Sequence, residues 1–193
     1  HAFQAENYPA RFEDAEMAYQ TTSAYESIFP EMSEAWQTEV QILKDAWEAE
    51  NQAEQLDLVT QFLERRQARR SDAGLTPNMV LYEKRYEWLE GSAKYVELGI
   101  WENASLSSSY HPTEALKNDN DFDAYQGFES RWKNELTSMK NAAKNGGDTL
   151  FYYSGMLQAH LLDELMPGWQ ARISEPGVWY ESLLTEVVQT NLN

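Results

Sequence analysis

The 193-residue chain sets Asp+Glu 32 against Lys+Arg 15, a net charge of -17, which excludes a nucleic-acid backbone or an anionic membrane surface as its partner. A hydrophobic share of 42% with 13% aromatic residues supplies the core of a single domain over 1–193, and no run approaches the ~20 apolar residues of a membrane span. Cysteine is absent, so thiol catalysis and disulfides are excluded, and any metal needs histidine, carboxylate or backbone ligands.

Residues 1–12 suggest a short helical piece that ends at Tyr8-Pro9, because a residue before proline is steered out of the helical region. Over 13–30 a weak helical pattern at Ala15, Tyr19 and Thr22 gives way to a packed loop through Tyr25, Ile28 and Phe29, closed by Pro30. From Glu31 the pattern is strong: Trp36, Val40, Leu43 and Trp47 fall on one face, with Glu31, Glu34 and Glu39 in the early turns. Leu56, Val59, Phe62 and Leu63 predict a second helix, joined to the first through Asn51-Gln52 as a hairpin or as one long bent helix. It ends in Arg65-Arg66-Gln67-Ala68-Arg69-Arg70, which reads as C-terminal capping with local salt bridges, or else as a carboxylate or structural clamp.

After the turn at Gly74 and Pro77 comes the clearest helix, over roughly 78–102. Met79, Tyr82, Tyr86, Leu89, Ala93, Val96 and Ile100 form its apolar stripe, and Glu83, Glu90 and Glu97 a second line seven residues apart. Glycine inside a helix costs about 1 kcal/mol against alanine. Gly91 therefore either admits a neighbouring helix or leaves room beside Glu90 for the carboxylate to reach something. Residues 103–126 read as a polar loop in which a short strand or hairpin stays open. Its Asn118-Asp119-Asn120-Asp121 run lacks the glycine and terminal glutamate of a calcium loop. Helices follow through Phe128, Trp132, Leu136 and Met139, then from an Asp148-Thr149 cap through Leu150 to Leu165, then from Trp179 to Val188. The chain thus reads as mainly α, a multi-helix bundle-like domain.

Candidate chemistry is sparse. The serines at 105 and 107–109 sit in a low-complexity run that suits no nucleophile triad. His111 reads as surface and His160 as a hydrogen-bonded histidine at the core edge. Tyr152 and Tyr153, at a helix N-terminus, are core residues or phenol donors to a developing oxyanion.

One set of motifs points further. His1-Ala2-Phe3-Gln4 resembles the tail of the His-Glu-x-x-His helix of zinc metallopeptidases. Glu90-Gly91-Ser92-Ala93-Lys94-Tyr95 resembles the downstream Glu-Gly-x-Ala-x-Tyr helix of their gluzincin branch, and Tyr152-Tyr153-Ser154-Gly155 the helix that follows the active site. The resemblance implies the helical C-terminal part of a gluzincin catalytic domain, beginning inside its zinc helix, with the first histidine and the general-base glutamate before His1. It implies His1 and Glu90 as zinc ligands, Tyr152 or Tyr153 as oxyanion donors, and Glu97 as a candidate to orient a histidine. A peptide or protein would be the substrate, and the N-terminal half of the domain a packing partner. An extracytoplasmic setting, periplasmic or secreted, is expected. The alternative is a non-enzymatic extracytoplasmic helical binding or structural domain, in which Glu90 is a partly solvated helix residue.

Overall fold

The computed structural model describes residues 1–120 and 127–191, and the described residues are mainly helical, with no strand. Two short helices, α1 (Ala2–Asn7) and α2 (Pro9–Glu16), open the chain. The break falls at Tyr8-Pro9 as the sequence predicts, with Pro9 starting α2, where a missing N–H costs nothing. A 3₁₀ turn (Met17–Gln20) leads into α3 (Thr22–Trp47).

Pro30 lies inside α3 and does not close a loop ahead of it. An interior proline costs about 3 kcal/mol. Tyr25, Phe29, Met32 and Trp36, buried on either side of it, each contribute roughly 1.5–3 kcal/mol by burial, so packing overrides the break. Helix α4 (Gln52–Asp72) returns alongside α3 as a hairpin, its first turn capped by the Asn51 side chain on the Glu54 amide at 3.0 Å.

The long helix predicted over 78–102 is interrupted. It runs as α5 (Pro77–Tyr86), a π turn (Glu87–Gly91) and α6 (Ser92–Leu106). A π turn holds one residue more than an α turn, so every face beyond it is rotated. The predicted stripe holds as far as Leu89. Beyond the turn Lys94 and Leu98 are buried, whereas Val96 and Ile100 are 53% and 54% exposed. A short helix α7 (Glu114–Lys117) occupies part of the polar loop. The Asn/Asp run considered for calcium ends at Asp121, which lies outside the described residues.

Helices α8 (Phe128–Asn145), α9 (Thr149–Leu165) and α10 (Tyr180–Asn191) complete the bundle. Asp148 precedes α9 but makes no side-chain cap, in contrast to the sequence expectation. Helix α9 is the central element, packed against α3, α5, the π turn, α6, α8 and α10, and buried almost throughout. Among the described residues no helix is long and apolar enough to cross a membrane.

The arginine run does not cap α4 at the surface. Arg66, Arg69 and Arg70 share one helical face and enter the core. Arg66 grips Glu87 with both terminal nitrogens, at 2.9 and 2.6 Å. Arg69 bonds Glu39 at 2.5 Å and Glu83 at 2.7 Å, and Arg70 bonds Glu83 and Glu181, each at 2.7 Å. Lys84 reaches Glu181 at 2.8 Å. The cations Arg66, Arg69, Arg70 and Lys84 match the carboxylates Glu39, Glu83, Glu87 and Glu181 charge for charge, tying α3, α4, α5, the π turn and α10 together. The guanidinium of Arg69 also lies 3.9 Å from the Trp36 ring centre.

Candidate functional site

Gly91 and Gly155 let the π turn and α9 touch backbone to backbone. A Cβ on Gly91 would stand 2.5 Å from the Gly155 Cα, and one on Gly155 would stand 2.4 Å from the Glu87 carbonyl oxygen. Of the two expectations for Gly91, the structure supports the first: the space beside it is filled by a neighbouring helix. Ser154, next to Gly155, donates to Glu87 at 2.7 Å, so the Arg66–Glu87 pair and this crossing hold the same turn.

Glu90 is carried by that turn and is buried, yet it faces away from the arginine cluster toward the N-terminal helix. His1 Nε2 lies 3.0 Å from Glu90 Oε2, so the structure brings together two residues 89 positions apart. The buried Gln4 fixes the imidazole. Its amide nitrogen donates to the carbonyls of Leu89 and Trp88 in the π turn, at 3.1 and 3.4 Å. The amide oxygen is then left for His1 Nδ1, 2.9 Å away. An amide oxygen only accepts, so the network assigns the proton to Nδ1 and aims Nε2 at Glu90. Nε2 is then either protonated and donates to the Glu90 carboxylate, or it accepts from a protonated Glu90; only a neutral imidazole facing an ionised carboxylate calls for a cation between them.

The Tyr152 phenol, on the first turn of α9, lies beside the Glu90 carboxylate and favours its charged form. Burial raises the Glu90 pKa, Tyr152 opposes the rise, and Asp148 adds to it. Tyr152 itself is pushed well above the usual phenol range by burial and by the adjoining Glu90. Tyr19, in the 3₁₀ turn, is raised by the same two causes, and its ring packs edge-on to Tyr86.

Tyr153 goes elsewhere. Neighbours on a helix point about 100° apart, so the two phenols cannot share a target. Tyr153 donates to Glu135 at 2.9 Å, in a cluster with Lys94 and Arg131, and burial followed by Glu135 pushes its pKa up to about 12. Glu97 pairs with Lys94 and Arg131 on a half-exposed face. His160 packs against the rings of Trp47 and Tyr95 at the core edge, and His111 is exposed. Gln4 and Tyr19 carry no chemical signal in the sequence, because their importance depends on which carbonyl and which carboxylate the fold brings to them.

Among the described residues no three His, Asp or Glu side chains cluster as a metal site. The His1–Glu90 pair nonetheless fits as two members of one. Ligands about 2.0–2.2 Å from a tetrahedral zinc stand roughly 3.3–3.6 Å apart, so the pair, which here stands at a hydrogen-bonding 3.0 Å, would have to open slightly to hold the ion. The Gln4 bond to Nδ1 is the outer contact by which a ligating imidazole is usually held. No protein-family model, curated protein or solved structure matches the chain.

Proposed function

We propose that this domain is the helical part of a gluzincin-type zinc peptidase, set outside the cytoplasm. The observation that carries the proposal is the 3.0 Å contact of His1 Nε2 with Glu90 Oε2, the imidazole held in its ligand tautomer by Gln4. His1 and Glu90 would hold the zinc, and a His-Glu-x-x segment completing the helix before His1 would supply the remaining ligand and the general base. When bound, zinc acidifies a water for attack on a peptide carbonyl. Gln4 keeps Nδ1 protonated and Nε2 directed at the site. The π turn holds Glu90 in a buried position, and Tyr152, beside Glu90, would donate to a reacting oxygen.

The filled Gly91–Gly155 contact gives a second reading some support: a non-enzymatic helical binding or structural domain in which His1 and Glu90 form an ion pair only. The sequence expects a partly solvated Glu90 under that alternative, whereas the carboxylate is buried and in contact with His1.

Metal analysis and peptide hydrolysis on the complete gene product decide between them. The zinc peptidase predicts about one zinc per chain, hydrolysis lost on chelation and regained with zinc, and loss of the metal in Glu90→Gln with the helical spectrum intact. A product without stoichiometric zinc, or a Glu90→Gln protein that keeps it, would overturn the zinc assignment.

A further inference from the structure

His1 is also one wall of a cleft of about 350 Å³, which opens between α1, the start of α6 and the chain joining α9 to α10. Its other principal walls are the rings of Trp88, Tyr95, Trp169 and Tyr180. The polar tip of each ring is already engaged. Trp88 Nε1 donates to the Ile173 carbonyl at 3.0 Å. Trp169 Nε1 and the Tyr95 hydroxyl both donate to Asp163, at 2.9 and 3.0 Å. The Tyr180 hydroxyl meets Ser92 Oγ at 2.6 Å.

Two consequences follow. The rings are fixed in place before any ligand arrives, so little ordering is required on binding. They also turn carbon faces to the cleft, and among the described residues no Asp, Glu, Lys or Arg lines it, in a chain whose net charge is -17. The volume lies at the small end of ligand pockets, suited to one large side chain and too small for a nucleotide or an extended cofactor. His1 and Gln4, together with Tyr8, Ser92, Gln170 and Ser174, supply the polar part of the lining, so an occupant needs an apolar body with polar groups attached, and on the His1 side it meets the His1–Glu90 pair.

We propose that this cleft is a specificity pocket for a bulky apolar side chain, aromatic in preference, of a peptide whose backbone lies at the His1–Glu90 pair. The peptide identity of the occupant rests on the zinc-peptidase reading, whereas the selection of an aromatic group rests on the cleft alone. The fixed aromatic walls favour a ring, which gains edge-to-face contacts beyond its buried area. An acidic side chain would lose its hydration there without a partner.

The test uses N-acetyl-phenylalaninamide and its glutamate counterpart, titrated into the chain while the indole N–H resonances of Trp88 and Trp169 are followed. The phenylalanine probe should give saturable shifts and the acidic probe none. Ala93→Trp, at a half-buried position in the lining, should abolish binding by filling the cleft. Val96→Glu, at the exposed rim, should weaken it about tenfold without lowering thermal stability. Equal binding of both probes, binding of neither, or binding that survives Ala93→Trp overturns the pocket. The outcomes separate from those of the zinc reading. A zinc-free protein that still selects the aromatic probe keeps the pocket and loses the peptidase; a zinc peptidase that binds both probes alike keeps the chemistry and loses the pocket.

Discussion

Glu83, Glu90 and Glu97 recur at equal spacing and meet three different environments. Glu83 is fully buried between Arg69 and Arg70, Glu90 is buried against His1 and Tyr152, and Glu97 is half-exposed beside Lys94 and Arg131. Glu90 was legible as a candidate because of the residues around it in sequence. The functions of its neighbours were less so: Tyr152 and Tyr153 are equivalent on paper, and only the orientation of α9 separates them. If the complete protein is a peptidase, Tyr152→Phe should lower its turnover about 10²–10³-fold while zinc content stays at the parental level. Tyr153→Phe should act on stability, by leaving Glu135 one donor short. Steady-state kinetics with metal analysis on both variants is the check, and equal turnover in Tyr152→Phe and the parent would remove the phenol from the chemistry.

At the scale of the element, the π turn is what the sequence concealed. Periodicity located the helix but continued its stripe to Val96 and Ile100, because an extra residue in one turn leaves no mark in hydrophobic spacing. The one local sign was Gly91, whose partner Gly155 lies on another helix and is invisible to any local pattern. Pro30 failed for a similar reason: a local breaker was overruled by large side chains buried on both sides of it. Gly91→Ala should destabilise by at least about 1–3 kcal/mol, since the added methyl meets fixed backbone with no flexible side chain to yield. Adding Gly155→Ala should cost less than the sum of the two changes, because one separation of the helices relieves both clashes. Urea denaturation of the single and double variants measures this, and a Gly91→Ala midpoint equal to the parent would show that the crossing tolerates a side chain.

For the whole molecule, the ion cluster decides both cohesion and acid tolerance. The sequence reads the arginine run as a helix cap with local salt bridges or as a clamp, and the structure makes it a clamp; no local pattern chooses between the two, because the matching carboxylates come from α3, α5, the π turn and α10. Removing one partner of a buried pair costs roughly 3–5 kcal/mol, so Arg66→Met should unfold at markedly lower urea. Burial opposes ionisation of Glu83, but Arg69 and Arg70 outweigh it and hold its pKa at about 2, against 4.5 unperturbed. Glu181 is lowered in the same sense, burial again opposing and Arg70 leading the depression. A depressed carboxylate stabilises fully above its unfolded pKa and loses that contribution as pH falls toward the folded value. Stability should therefore drop steeply from pH 4.5 to about 2, and Arg70→Gln should flatten that drop by weakening the hold on both carboxylates. Urea midpoints across this range test the expectation; parallel profiles for parent and variant would contradict it.

The most direct test of a metal shared by His1 and Glu90 is the visible spectrum of the complete gene product titrated with cobalt(II). Intense absorption of a low-coordinate site, saturating at one equivalent and abolished by Glu90→Gln, is the predicted result. A weak six-coordinate spectrum, or one that Glu90→Gln leaves unchanged, would show that the 3.0 Å contact is an ion pair and nothing more.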